Sequence, residues 1–166
     1  MTGVQTCALP IFRGSEGIGA FHYFRILDRF MPYGFNFPAR SRRPPLDPAN
    51  ALLSFLYTVL MNEVTASIRV HALDAGLGFM HQDLERSPSL ALDLMEVFRP
   101  AFADLLAMNM IGHDRLDPDA DFEKDPETGG VYLAASARRK VLVASESAFS
   151  RPFRQLGRTE DRTSVV

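Results

Sequence analysis

Apolar residues recur along this chain at three- and four-residue steps, interrupted by proline and glycine, a pattern that predicts helices separated by short breaks. The first predicted helix covers 16–31, where Ile18, Phe21, Phe24, Ile26, Leu27 and Phe30 mark one face before Pro32-Tyr33-Gly34 ends it. A second, 48–73, opens at Asp47-Pro48, an N-cap residue followed by proline at the first helical position. Leu52, Leu53, Phe55, Leu56, Val59, Leu60, Val64 and Ile68 nearly encircle its first half, so it is expected to be a central, mostly buried helix. Ser87-Pro88-Ser89 caps a third block running to 111, in which Pro100 predicts a kink or two abutting helices. Phe122-Glu123 and Val131-Tyr132-Leu133 flank a Pro/Gly turn and predict a small hairpin, and a last helix is expected over 134–144 with weak patterning beyond. The predicted fold class is mainly α, with at most a short β-hairpin near 120–133.

Both ends read as foreign to this pattern. Residues 1–11 resemble the translation of a short-read sequencing adapter, and 161–166 resemble that of the opposite adapter. The expected domain is therefore 12–144, with 145–160 an unassigned tail. The apolar stretch 7–12 is too short for the core of a signal peptide and has no basic segment before it.

Charge sharpens this picture only locally. Lys and Arg number 18 against 20 Asp and Glu, a formal net charge of −2, so any nucleic-acid surface must come from clustering. Arg40, Arg42 and Arg43 form one such cluster, and Arg138, Arg139 and Lys140 another. The single cysteine, Cys7, lies in the adapter-like stretch, so no disulfide framework is expected. With no uninterrupted apolar run near eighteen residues, a cytoplasmic protein without a membrane partner is the expectation.

Glu16, His81, Asp93 and Glu96 are the candidates for chemistry. Residues three apart lie about 60° apart around a helix, so Asp93 and Glu96 share a face and can reach one ion. One imidazole with carboxylates suits Mg²⁺ or Mn²⁺ better than zinc. Taken alone, each has an ordinary explanation: a solvated face for the Asp/Glu pair, a loop or core histidine for His81, and helix N-terminal charge for Glu16. No Ser or Cys is placed with a matched base, so a covalent enzyme intermediate is not expected.

Arg13-Gly14-Ser15-Glu16-Gly17 with Ala20, Tyr23 and Phe24, then Arg42-Arg43-Pro44-Pro45-Leu46-Asp47-Pro48 with Asn50-Ala51-Leu52-Leu53-Ser54-Phe55, stand in this order. They are followed by Gly76-Leu77-Gly78-Phe79-Met80-His81, Pro88-Ser89-Leu90-Ala91-Leu92-Asp93-Leu94-Met95-Glu96 and Gly129-Gly130-Val131-Tyr132-Leu133. In order and spacing, over about 13–140, these motifs resemble the catalytic helical half of the CRISPR adaptation integrase family, nearest its subtype I-C branch. The resemblance implies a metal-dependent DNA endonuclease/integrase that inserts spacer DNA into a CRISPR array by attack of a 3′-hydroxyl on a phosphodiester.

On that resemblance Glu16, His81 and Glu96 are the expected ligands of Mg²⁺ or Mn²⁺, and Asp93 is a further acidic member of the catalytic set. Arg40, Arg42 and Arg43, with Lys140 and its neighbours, are expected to meet DNA phosphates, the other explanation being a solvated loop face. Asn50, Glu63 and Arg99 also lie in matching motifs, where packing and internal hydrogen bonds explain them as well as substrate contact does. Expected partners are DNA, as protospacer and CRISPR repeat, a second copy in the full-length family, and the second CRISPR-associated protein. The amino-terminal β-rich domain of relatives has no counterpart in this chain. A non-catalytic DNA-binding fragment is the alternative function, and a purely structural helical domain the third.

Overall fold

In a computed structural model of the chain, residues 5–81, 88–151, 153–155 and 158–160 are described, with side chains over 17–81 and 88–151. Helix α1 spans Gln5–Asp28, starting well before the expected position 16 and inside the adapter-like stretch. Helix α2 spans Pro48–Val70 and α3 spans Ser89–Phe98. Where Pro100 predicted a kink or two abutting helices, two helices are joined by a single π-helical turn, Arg99–Asp104, which leads from α3 into α4, Leu105–Gly112. Proline has no N–H for the usual i to i−4 bond, and the wider π turn absorbs that gap while the helix continues.

Strands β1, Phe122–Lys124, and β2, Val131–Leu133, pair antiparallel with Phe122 opposite Leu133, which places the expected hairpin where its sequence put it. Helix α5 spans Ala135–Phe149, beyond the predicted end at 144. Its inner face continues as Ala137, Val141 and Ser145, all buried. The polar member hides there because Ser145 Oγ donates to the Val141 carbonyl at 2.8 Å. Phe149 then stacks on Phe102 at a ring separation of 3.9 Å, anchoring the extra turn. A second small antiparallel pair follows, β3, Phe153–Gln155, with β4, Arg158–Glu160.

The core forms around α2, as its apolar circumference predicts. Asp47 caps it by accepting the Asn50 N–H at 2.8 Å, and Leu52, Leu53, Leu56, Leu60, Val64 and Ile68 are all buried. By length and composition α2 is apolar enough to cross a bilayer, and 44% of its most apolar stretch is buried within the fold. Helix α1 departs from its predicted amphipathic face. Phe24 and Leu27 are buried, whereas Ile18, Phe21, Ile26 and Phe30 remain exposed, so only one edge of the apolar stripe meets the core.

Candidate functional site

The stretch leading from α2 to α3 turns on its own side chains. Asp74 Oδ1 accepts the Gly76 N–H at 2.8 Å, and the Leu90 N–H donates to the Ala75 carbonyl at 2.9 Å, drawing the loop across the start of α3. Gly78 lies so close to Ser89 that a Cβ there would stand 2.7 Å from the Ser89 carbonyl carbon. Glycine is required at this position by close approach, not by an unusual φ.

The loop delivers His81 to Asp93, which projects from the second turn of α3. His81 Nδ1 lies 2.6 Å from Asp93 Oδ1, and the other Asp93 oxygen accepts the backbone N–H groups of Met80, at 2.9 Å, and Phe79. Burial works against charge on this carboxylate, but the His81 bond and the two N–H donors outweigh it and hold its pKa below the usual carboxylate range. An ionised carboxylate only accepts, so Nδ1 is the imidazole nitrogen that carries the proton. In the neutral ring Nε2 then keeps its lone pair.

Glu96, one turn further along the same face, does not join this pair. Its Oε1 accepts from Arg99 Nη2 at 2.7 Å. The two carboxylates that share a face by spacing thus end on different partners, one on the histidine and one on an arginine. Glu16 lies on α1 two turns before Tyr23, and its side chain lies outside the described residues. Among the described residues no three His, Cys, Asp or Glu side chains gather in a metal-holding group.

Behind Glu96 is a polar cluster absent from the sequence-based expectations. Asp104, only 1% exposed, accepts the Tyr23 hydroxyl on one oxygen and the Tyr57 hydroxyl on the other, each at 2.6 Å, tying α1 and α2 to the π turn. Burial pushes the Asp104 carboxyl up from the ordinary range, against the pull of the two hydroxyls and the nearby Arg99 and Arg40 cations. Burial and Asp104 also push both phenols above their usual range, so each stays protonated and donates. The guanidinium of Arg99 lies 4.7 Å and that of Arg40 5.3 Å from the Tyr57 ring centre. An aspartate inside the apolar run 101–110 was the available signal, since a carboxylate in such a run must find buried donors.

The structure divides the Arg40, Arg42, Arg43 cluster. Arg40, one of the expected phosphate contacts, turns inward here. Its Nη1 donates to Asn50 Oδ1 at 2.7 Å and to the Ser41 carbonyl, and its Nη2 donates to Ser54 Oγ at 2.9 Å. Asn50 itself is fully buried, accepting the Ser41 N–H and donating to the Ala39 carbonyl, which makes it a clamp on the segment before α2. Arg42 and Arg43 remain exposed, as do Glu63, Arg138 and Arg139. Lys140 donates to both oxygens of Asp121, at 2.9 and 3.0 Å.

This arrangement of helices is shared with solved structures. A casposase bound to integration product superposes with a TM-score of 0.84 at 25% identity, over 95% of this chain and 44% of that one. A Cas6-RT-Cas1–Cas2 complex aligns with a TM-score of 0.79 at 30% identity, over 91% of this chain and 16% of that one. The family model of CRISPR associated protein Cas1 matches residues 5–147. The CRISPR-associated endonuclease Cas1 2 of Rhodospirillum rubrum is 46% identical over 80% of this chain and 39% of its own length. The chain belongs to the Cas1 family. It spans about two fifths of the length of the curated relatives it matches.

Proposed function

We propose that this chain carries the helical catalytic half of a CRISPR adaptation integrase, a metal-dependent DNA endonuclease that joins spacer DNA to a CRISPR array through 3′-hydroxyl attack on a phosphodiester. The observation that carries this reading is the His81–Asp93 pair standing one helical turn from Glu96. A histidine whose Nδ1–H donates to a carboxylate presents Nε2 as a ligand, the arrangement metal-binding histidines commonly use. Asp93 belongs to the catalytic set as the group that orients His81.

The donor set suits a hard divalent ion. Glu16, His81 and Glu96 would hold Mg²⁺ or Mn²⁺, with one Glu96 oxygen already taken by Arg99. The bound ion would supply charge neutralisation at the reacting phosphate. The chain's own contribution is positioning: Asp93 fixes the imidazole, the loop packed on Ser89 sets its height, and exposed Arg42 and Arg43 meet DNA phosphates.

The named neighbours, one bound to an integration product and one in a complex with Cas2, support DNA and Cas2 as partners; the protospacer and CRISPR repeat, and a second copy of the full-length protein, complete the proposal. A cytoplasmic location and a subtype I-C affiliation belong to this reading.

Thermal unfolding with and without Mn²⁺, in parallel with His81→Ala, tests it. A ligand that binds only the folded state at a hundred times its dissociation constant stabilises by about 2.7 kcal/mol. The expected result is a melting shift in the parent that His81→Ala removes. No shift in either protein overturns the metal reading and leaves a non-catalytic DNA-binding fragment as the function.

A further inference from the structure

Arg99 has an unusual setting for a residue that pairs with a glutamate three positions earlier. A solvated i, i+3 ion pair keeps both partners in water and contributes little. Here the Arg99 side chain is 15% exposed, its guanidinium lies over the Tyr57 ring, and its Nε is buried with no hydrogen-bond partner among the described residues. Packing that served only the arginine's own hydrogen bonds would satisfy that donor. Instead the group is seated on an aromatic face and directed at Glu96 Oε1. Tyr57 also donates its hydroxyl to Asp104, a separate contact whose loss would leave a buried carboxylate short of a donor.

We infer that Arg99 is a positioning residue for Glu96, held in place by the ring of Tyr57. The inference rests on the metal reading proposed above. Arg99 takes one carboxylate oxygen and thereby fixes the direction of the other, which is the oxygen left for a divalent ion. The π turn serves this arrangement at both ends, since Arg99 opens it and Asp104 closes it. Ring and hydroxyl of Tyr57 then have separable roles: the ring seats Arg99, and the hydroxyl satisfies Asp104.

Titration of the full chain with Mn²⁺, followed by the electron paramagnetic resonance signal of the free ion, reads affinity without DNA or turnover. Circular dichroism at the same temperature reports folding. Glu96→Gln is the reference variant: lost binding upholds the metal reading, and unchanged binding overturns that reading and this inference together. With the reference upheld, Arg99→Gln is expected to weaken Mn²⁺ binding about tenfold, the scale of lost outer-shell support. Tyr57→Leu is expected to do the same. Tyr57→Phe keeps the ring and gives up the bond to Asp104, so it should lower the melting temperature while keeping the parent affinity. If Arg99→Gln does not fold, Arg99→Lys carries the test, because a compact ammonium cannot stack flat on Tyr57 while reaching Glu96. Unchanged or tighter binding in the Arg99 variant, or equal losses in Tyr57→Phe and Tyr57→Leu, overturns the inference and leaves the metal reading standing.

Discussion

His81 Nδ1 and Asp93 Oδ1 lie 2.6 Å apart across a loop and the first turn of α3, so the acid's effect is exerted through the histidine. Asp93→Asn keeps the shape but allows the amide to donate to Nδ1 and shift the proton to Nε2. A 10- to 100-fold loss of metal-supported DNA nicking is expected, the usual cost of removing a histidine's supporting carboxylate. Nicking assayed across a Mn²⁺ series checks it, and parent-level activity at every concentration would sink the orienting role.

Gly78 makes a second prediction through space rather than charge. A Cβ at this position meets Ser89 backbone atoms at 2.7 and 2.9 Å, and backbone cannot rotate away as a side-chain end can. Gly78→Ala is expected to cost about 1–3 kcal/mol, the range for overpacking, and to weaken the melting shift given by Mn²⁺. Urea unfolding gives the first quantity and a Mn²⁺ melting series the second; parent behaviour in both would show that the loop relaxes freely.

Asp121 predicts an acid-sensitive element. Burial raises its pKa, but the Asp117 N–H and the Lys140 ammonium outweigh that and hold it below the usual carboxylate range. A group whose folded pKa is depressed stabilises fully above its unfolded value, near 3.9, and loses that contribution as pH falls through the folded pKa. The parent should therefore exceed Asp121→Asn in urea midpoint at neutral pH, with the gap closing once pH drops below about 4. A gap that stays constant from neutral pH to pH 3 would count against the ion pair.

Arg42 and Arg43 are exposed beside an Arg40 that is tied inward. Removing a phosphate contact reduces the slope of log affinity against log salt by about 0.9 on duplex DNA. Arg42→Ala with Arg43→Ala should flatten that slope by nearly two such steps, measured by fluorescence anisotropy. An unchanged slope would remove both residues from the DNA surface, and Arg40→Ala should act mainly by lowering stability.

Much of this chain was legible because local rules and the fold agree. Asp47-Pro48 started α2 at Pro48, the apolar circumference of α2 became the core, and a small hairpin formed where two short runs flank a Pro/Gly turn, its register fixed by the structure. Where a residue's role depended on a distant partner, spacing misled. Ser145 looked like the end of a pattern until its bond to the Val141 carbonyl explained its burial, and α1 exposed most of the stripe that its periodicity assigned to the core.

The sequence by itself determined the helices, the hairpin and the family motifs that single out Glu16, His81, Asp93 and Glu96, because caps, turn residues and periodicity act over a few positions. Only the tertiary structure decided which partners those side chains take. Asp93 met His81 and Arg40 left the surface for Asn50 and Ser54, while Arg99, already within helical reach of Glu96, was seated on the ring of distant Tyr57. A charged group's partner is set by what the packing of distant segments brings within 3 Å, and desolvation makes a buried cation or carboxylate settle there rather than in water.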